Sequence, residues 1–241
     1  YALIARAHME KYGTTAEQMA AVAVSGRKYA ELNPTAQMRT PITIEDVVNS
    51  RMIADPLHLL DCSLVSDGGS AVILTSAERA KDFPNHPVYV LGFGEGHSHE
   101  HISQARSLTT SSALESGQRA YQMAGLGPSD IDVAQIYDCF TPVVLIELED
   151  LGFCAKGEGG PFAASGATQP GGSLPMNTNG GLLSHCHPGN PGSMFALTEA
   201  VSQLRHTGGQ RQVDNAQVAL VHGQGGIMSS HTTLILGREN T

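Results

Sequence analysis

Ile131-Asp-Val-Ala-Gln-Ile136 runs directly into Tyr137-Asp-Cys-Phe-Thr-Pro142 and on through Val143-Val-Leu-Ile-Glu-Leu-Glu-Asp-Leu151 to Gly152. The first six residues are short and apolar enough for a buried strand. Pro142 falls where a first helical turn tolerates a missing N–H, and Gly152 marks where the helix through 143–151 stops. An open α/β sheet places its ligand crevice where a strand gives way to a helix. Tyr137, Asp138, Cys139, Phe140 and Thr141 are therefore the first candidates for chemistry.

Working outward, the alternation continues. Tyr1-Ala-Leu-Ile-Ala-Arg-Ala-His-Met9 has helical apolar spacing from its first residue and lacks an initiator methionine, which reads as a fragment entered in mid-helix. Thr14-Thr-Ala-Glu-Gln18 sets a hydroxyl three residues before Glu or Gln, a capping box opening a helix over Met19, Val22 and Ala23 that Asn33-Pro34 ends. Pro41-Ile-Thr-Ile-Glu-Asp-Val-Val48 repeats the start signal. Ser66-Asp-Gly-Gly-Ser70 leads into Ala71-Val-Ile-Leu-Thr75, an apolar run too short for a helix, which predicts a strand buried on both faces. A charged helix over 76–82 separates it from a second such strand over 88–91. The pattern is helical over 108–126, and 157–181 is a glycine-rich stretch with little periodicity, of a length usually functional in a compact domain. A helix over 193–204 and apolar strands over 218–221 and 232–236 finish the chain. Strands alternating with helices predict an α/β layered sheet.

Composition narrows the partners. The 241 residues carry 14 Lys+Arg against 23 Asp+Glu, a net charge of −9, whereas clamping nucleic acid or an anionic membrane through bulk charge needs a positive field. Small ligands are expected instead. Cys62, Cys139, Cys154 and Cys186 are widely spaced with no CxxC pair, and no apolar run approaches the length of a membrane span, so a reduced, cytoplasmic setting is expected.

Three constellations can carry chemistry. In Tyr137-Asp-Cys-Phe-Thr141, a cysteine can act as acid/base if a neighbour lowers its pKa and a tyrosine can donate a proton; the plainer alternative is packing beneath the turn. In Asn177-Thr-Asn179-Gly-Gly181 followed by His185-Cys-His187-Pro-Gly189, two imidazoles beside a thiol can polarise a carbonyl; the plainer alternative is a helix-entry loop with a solvated His185. Zinc fits poorly there, because His185, Cys186 and His187 lie too close in sequence to converge on one ion. In His222-Gly-Gln-Gly225-Gly226, the glycines can turn backbone N–H groups toward an oxyanion, or form a tight hairpin. His97-Ser-His99-Glu-His101 has the spacing of a metal comb, but it follows Gly92-Phe-Gly94-Glu-Gly96 in what reads as a surface loop, so no metal is expected.

Taken in order, Ser66-Asp-Gly-Gly-Ser-Ala-Val-Ile-Leu74, Tyr137-Asp-Cys-Phe-Thr141, Asn177-Thr-Asn-Gly-Gly181 through His187-Pro-Gly189, and His222-Gly-Gln-Gly-Gly226 resemble the landmarks of the thiolase superfamily. The nearest resemblance is to the sterol-carrier-protein-type thiolases and lipid-transfer proteins, including steroid side-chain aldolases. It implies a thiolase-like sheet-and-helix architecture lacking its N-terminal part: residues 1–105 as the end of the N-terminal half with a loop region, and 106–241 as the C-terminal domain. The nucleophilic cysteine would then lie before Tyr1.

Residue by residue, the resemblance makes His187 an oxyanion-hole histidine, and Tyr137 the occupant of a position where a histidine or asparagine shares that role. Cys139 becomes the acid/base cysteine, and Gly225 and Gly226 part of a second oxyanion site. Asn179, His185 and His222 become pocket residues. The implied activity is C–C bond chemistry on an acyl-CoA thioester, with thiolase-type acyl transfer ranked ahead of retro-aldol cleavage of a β-hydroxyacyl-CoA steroid side chain using Tyr137. Non-catalytic acyl-CoA or lipid binding ranks third. Coenzyme A is expected as part of the substrate and no other cofactor. A homodimer and an OB-fold partner protein are the implied assemblies.

Overall fold

The computed structural model describes residues 1–239. Helices α1 (Ala2–Tyr12), α2 (Ala16–Glu31) and α3 (Ile44–Val48) lead into a small hairpin, β1 (Met52–Ala54) and β2 (Leu57–His58), and a single helical turn, α4 (Ala77–Ala80). Then come β3 (Tyr89–His97), α5 (Ala113–Ala124), β4 (Val133–Ile136), α6 (Thr141–Asp150), α7 (Gly159–Ala164), α8 (Gly181–Ser184), α9 (Gly192–Leu204), β5 (Val218–Gly225) and β6 (Ser230–Gly237). The main sheet has the order β3-β6-β5-β4, with β4 parallel to β5 and the other pairs antiparallel.

Strand parity sorts the sheet into layers. Val133, Ala219, Val221 and Leu236 face α9 in one apolar cluster, whereas Ala134, Ile136, Leu220 and Ile235 join α2, α5 and α6 in the larger one. Helices on both faces of a mixed sheet are the layered α/β arrangement that the alternation predicts. Local start signals also hold: Thr15 and Gln18 form a reciprocal capping box on α2, and Thr43 and Asp46 form one on α3. Proline occupies the first turn of α6.

Four expectations are corrected. Residues 71–75 form no strand: Ile73 is 86% and Leu74 82% exposed, because a strand buried on both faces needs neighbours and none pairs with this run among the described residues. The strand expected over 88–91 is an edge strand with Val90 half exposed, and it runs on to His97 through the glycines read as a loop. The reason lies in α5, which crosses so closely that a Cβ at Gly94 would lie 2.7 Å from Arg119 Cβ and 3.0 Å from the Ala120 nitrogen. The helix expected over 108–126 begins only at Ala113 and ends with a left-handed Gly125. Finally, the glycine-rich stretch 157–181 contains α7, whose Gly159 and Gly160 are buried against α6 and α2.

Candidate active site

Strand β4 delivers Tyr137 to the sheet edge. The Asn177 side chain holds the strand end from both sides, accepting from the Ile136 N–H at 2.8 Å and donating to the Ile136 carbonyl at 2.9 Å. The Tyr137 N–H continues the parallel ladder to the His222 carbonyl at 3.1 Å. Asn177 itself has a φ of +52°, a left-handed conformation that costs energy outside glycine and is held here by its paired hydrogen bonds.

Asp138, next in sequence, is fully buried and points at the start of α8. Its carboxylate accepts from the Leu182 N–H at 2.7 Å and the Leu183 N–H at 3.4 Å. Burial pushes its pKa up to about 6, opposed by those N–H donors. Asp138 thus anchors the loop carrying residues 181–187 to the β4–α6 junction.

That anchoring brings His187 to Tyr137. The tyrosine hydroxyl lies 2.9 Å from His187 Nε2, with the rings edge-on at 5.8 Å between centroids. On the other side His187 Nδ1 lies 2.7 Å from Ser63 Oγ, and the His187 N–H donates to Ser66 Oγ at 2.8 Å. Both groups are half-buried. Burial raises Tyr137 to about 12, reinforced by the nearby Cys139 and Asp138, and lowers His187 below the ordinary imidazole range. At neutral pH the pair is therefore a neutral phenol against a neutral imidazole, a line along which a proton can be given or taken.

Beside the pair lies a crevice lined by Tyr137, Asn179, His185, Cys186 and Phe195. Asn179 shapes the loop, its Oδ1 accepting from the Gly181 N–H at 2.8 Å. His185 is half-buried rather than solvated, set edge-on to Phe195 and 3.3 Å from Thr35 Oγ1.

The remaining candidates stand apart from that line. Cys139 is buried, and its thiol faces Gln224 Oε1 at 3.7 Å. Burial, then the Glu147 carboxyl, pushes that thiol up rather than down, so the condition for acid/base work set by sequence is not met in this geometry. Gly225 and Gly226 are exposed at the β5–β6 hairpin, where the Gly226 carbonyl accepts from the Tyr1 hydroxyl at 3.0 Å and from Gln224 Nε2 at 3.1 Å. His222 is fully buried behind the sheet edge, against His231 and Thr233, and does not line the crevice. The His97, His99 and His101 comb does not converge; among the described residues the metal-compatible group is Glu147, His222 and His231.

Sequence reading does not single out Ser63 or Tyr1 and gives no individual role to Ser66 or Gln224 within their motifs; each joins the site only through the fold. Asp138 has no role in the sequence reading of its motif, though a carboxylate at a strand end three residues before a proline-led helix is the available signal.

The chain matches the thiolase C-terminal domain-like family over residues 94–238 and belongs to it. It is 41% identical, over 99% of its length and 62% of the relative's, to an acetyl-CoA acetyltransferase of Methanothermobacter thermautotrophicus. It is 43% identical, over 99% of its length and 61% of the relative's, to a steroid side-chain-cleaving aldolase of Thermomonospora curvata. Its fold superposes with a TM-score of 0.91 on the Ltp2-ChsH2(DUF35) aldolase, at 41% identity, covering 98% of this chain and 62% of that one. The chain thus spans about three fifths of the length of these relatives.

Proposed function

We propose that this chain forms part of a thiolase-superfamily enzyme that makes or breaks C–C bonds next to the carbonyl of an acyl-CoA thioester. The observation that carries the reading is the 2.9 Å contact between the Tyr137 hydroxyl and His187 Nε2, opening beside a crevice at the strand end. Charge develops on oxygen in either direction of such a reaction, and fixed donors in a dry pocket stabilise it by on the order of 3 kcal/mol each.

Thiolase-type acyl transfer is the first form of the reading and needs a nucleophilic thiolate. All four cysteines among the described residues have thiols raised by burial, so none of them is poised for that role. Retro-aldol cleavage is the second form, and the tyrosine–histidine line favours it. The pair accepts the β-hydroxyl proton, the Cα–Cβ bond breaks with its electrons passing into the thioester enolate, and the enolate is reprotonated at Cα. The products are a carbonyl compound and a shortened acyl-CoA.

The acetyltransferase and aldolase relatives support the two forms about equally, and their names extend the second to lipid or steroid side chains. Coenzyme A enters as part of the substrate. The reading carries a cytoplasmic setting, a homodimer, and a partner protein of the kind named beside the aldolase in the superposed structure. It also assigns 106–241 as the C-terminal thiolase-like domain.

The test is turnover by the full-length protein. A β-hydroxyacyl-CoA and a 3-ketoacyl-CoA with free CoA are offered separately, and products are followed by mass spectrometry. Tyr137→Phe should lower kcat/KM by about 10²- to 10⁴-fold on whichever is turned over. Undiminished turnover would remove Tyr137 from the reacting centre.

A further inference from the structure

Behind the sheet edge, α6 and the β5–β6 hairpin present three groups to one point. His222 and His231 are diagonal neighbours on one face of the hairpin, since His222 pairs with Thr233 and Gln224 with His231. Glu147 of α6 faces them. His222 Nε2 lies 3.0 Å from His231 Nδ1, and Glu147 Oε1 lies 3.6 Å from the first and 3.8 Å from the second. All three side chains are completely buried.

Within the protein, both oxygens of the Glu147 carboxyl are without a hydrogen-bond partner, and so is His231 Nε2. Burying a carboxyl without partners is unfavourable, and buried charges in folded proteins are paired or bind metals. The hydrogen bonds around His222 fix which of its nitrogens carries the proton and which offers a lone pair, the latter also within hydrogen-bond distance of His231 Nδ1. Ser116 Oγ donates to the Ala113 carbonyl at 3.2 Å, so the Thr233 hydroxyl, 2.8 Å away, donates to Ser116. Thr233 Oγ1 then accepts from the Nδ1–H of His222 at 2.9 Å, leaving the Nε2 lone pair directed at Glu147 and His231. A histidine whose second nitrogen is committed to an outer partner is how proteins present a metal ligand.

The geometry points to a divalent transition-metal site held by Glu147, His222 and His231, with zinc the expected occupant. The three ligand atoms define a triangle whose equidistant point lies about 2.0 Å from each, the length of a zinc–imidazole or zinc–carboxylate bond. A water there would need roughly 2.8 Å to each partner, well beyond that spacing. Two imidazoles and a carboxylate suit zinc, with Glu147 Oε2 able to supply a fourth contact. The ion would tie α6 to the hairpin that carries Gln224, and so brace the wall behind Cys139 and Tyr1.

The experiment uses full-length protein purified without a polyhistidine tag. Metal content is measured by mass spectrometry; the protein is then stripped with chelator and titrated with Co²⁺, whose d–d absorption reports nitrogen and oxygen ligation, and with Zn²⁺ in competition. About one metal equivalent per chain, a cobalt spectrum displaced by zinc, and a several-fold or greater loss of affinity in both Glu147→Gln and His231→Gln are expected. Metal binding undiminished in both variants would overturn the assignment. So would wild-type protein that binds neither ion and shows an infrared band of a protonated carboxylic acid; that outcome needs no variant to fold.

Discussion

Replacing Gly181 with alanine tests the link between Asp138 and the loop that carries His187. Gly181 has a φ of +64°, and a Cβ there would lie 2.7 Å from Asp138 Cγ and 2.9 Å from Asp138 Oδ1. The left-handed backbone alone costs a non-glycine residue about 1–2 kcal/mol. Relieving the clash requires Asp138 to swing away, which gives up its 2.7 Å bond from the Leu182 N–H; a hydrogen bond to a charged group contributes about 1.5–3 kcal/mol. Gly181→Ala should therefore lower unfolding stability by about 2.5–5 kcal/mol. The control is Gly125→Ala, at φ +67° with nothing within 4 Å of its built Cβ, which should cost only the backbone share. Urea unfolding of both variants in the full-length protein measures the difference. If the two agree within about 0.5 kcal/mol, a difference that such unfolding data resolve, the clash reasoning is wrong and Asp138 does not anchor this loop.

Gly94→Ala should destabilise by about 1–3 kcal/mol through overpacking against α5, whereas Gly69→Ala, with no neighbour within 4 Å, should be close to neutral in the same unfolding assay. Ser63→Ala removes the 2.7 Å partner of His187 Nδ1 and should lower kcat/KM about 5- to 10-fold, with recovery in Ser63→Thr; an unchanged pH–rate profile would mean that Ser63 does not orient the ring. Burial lowers the pKa of His187, so its neutral form persists below the ordinary value; the acidic limb of kcat/KM should fall below about pH 6.5 and move up in a variant that opens the pocket. Burial raises Glu149, but His8 at 3.0 Å, the Gly159 N–H and Lys156 together hold it below the ordinary carboxylate range. Its folded pKa is depressed, so its contribution is present above the unfolded value of about 4.3 and is lost as pH falls through the folded one. Glu149→Gln should flatten that acid loss in a Tm-against-pH series.

What could be read from sequence was what neighbours in sequence decide. Thr15 with Gln18 and Thr43 with Asp46 cap their helices through bonds three residues long, and Pro142 follows directly on the strand that presents Tyr137. What could not be read was decided by distant partners. Gly92, Gly94 and Gly96 look like a surface loop until α5 is known to pass over them. Ala71 to Thr75 look like a core strand because apolar content says nothing of whether a neighbouring strand is present to pair with it. Tyr137 and His187 were both named, but Ser63 lies 124 positions from His187, and no spacing rule joins them. The same holds for Glu147, which meets His222 and His231 only through packing of α6 on the hairpin.

On the function proposed above, the Ser63–His187–Tyr137 line would let one site suit either chemistry. When His187 carries its proton on Nδ1 and donates to Ser63, Nε2 accepts from the Tyr137 hydroxyl, and the pair can withdraw a proton from a substrate oxygen placed against the tyrosine. When the Ser63 hydroxyl donates instead, Nε2 carries the proton and becomes a donor toward a developing oxyanion. On that proposal, the first state would serve retro-aldol cleavage and the second acyl transfer. Serine is competent for both because its hydroxyl donates and accepts, whereas a carboxylate at position 63 would only accept and would lock the first state. Ser63→Asp should therefore favour cleavage over transfer in an enzyme capable of both, and a product ratio unmoved by that substitution would show that the tautomer of His187 does not choose the reaction.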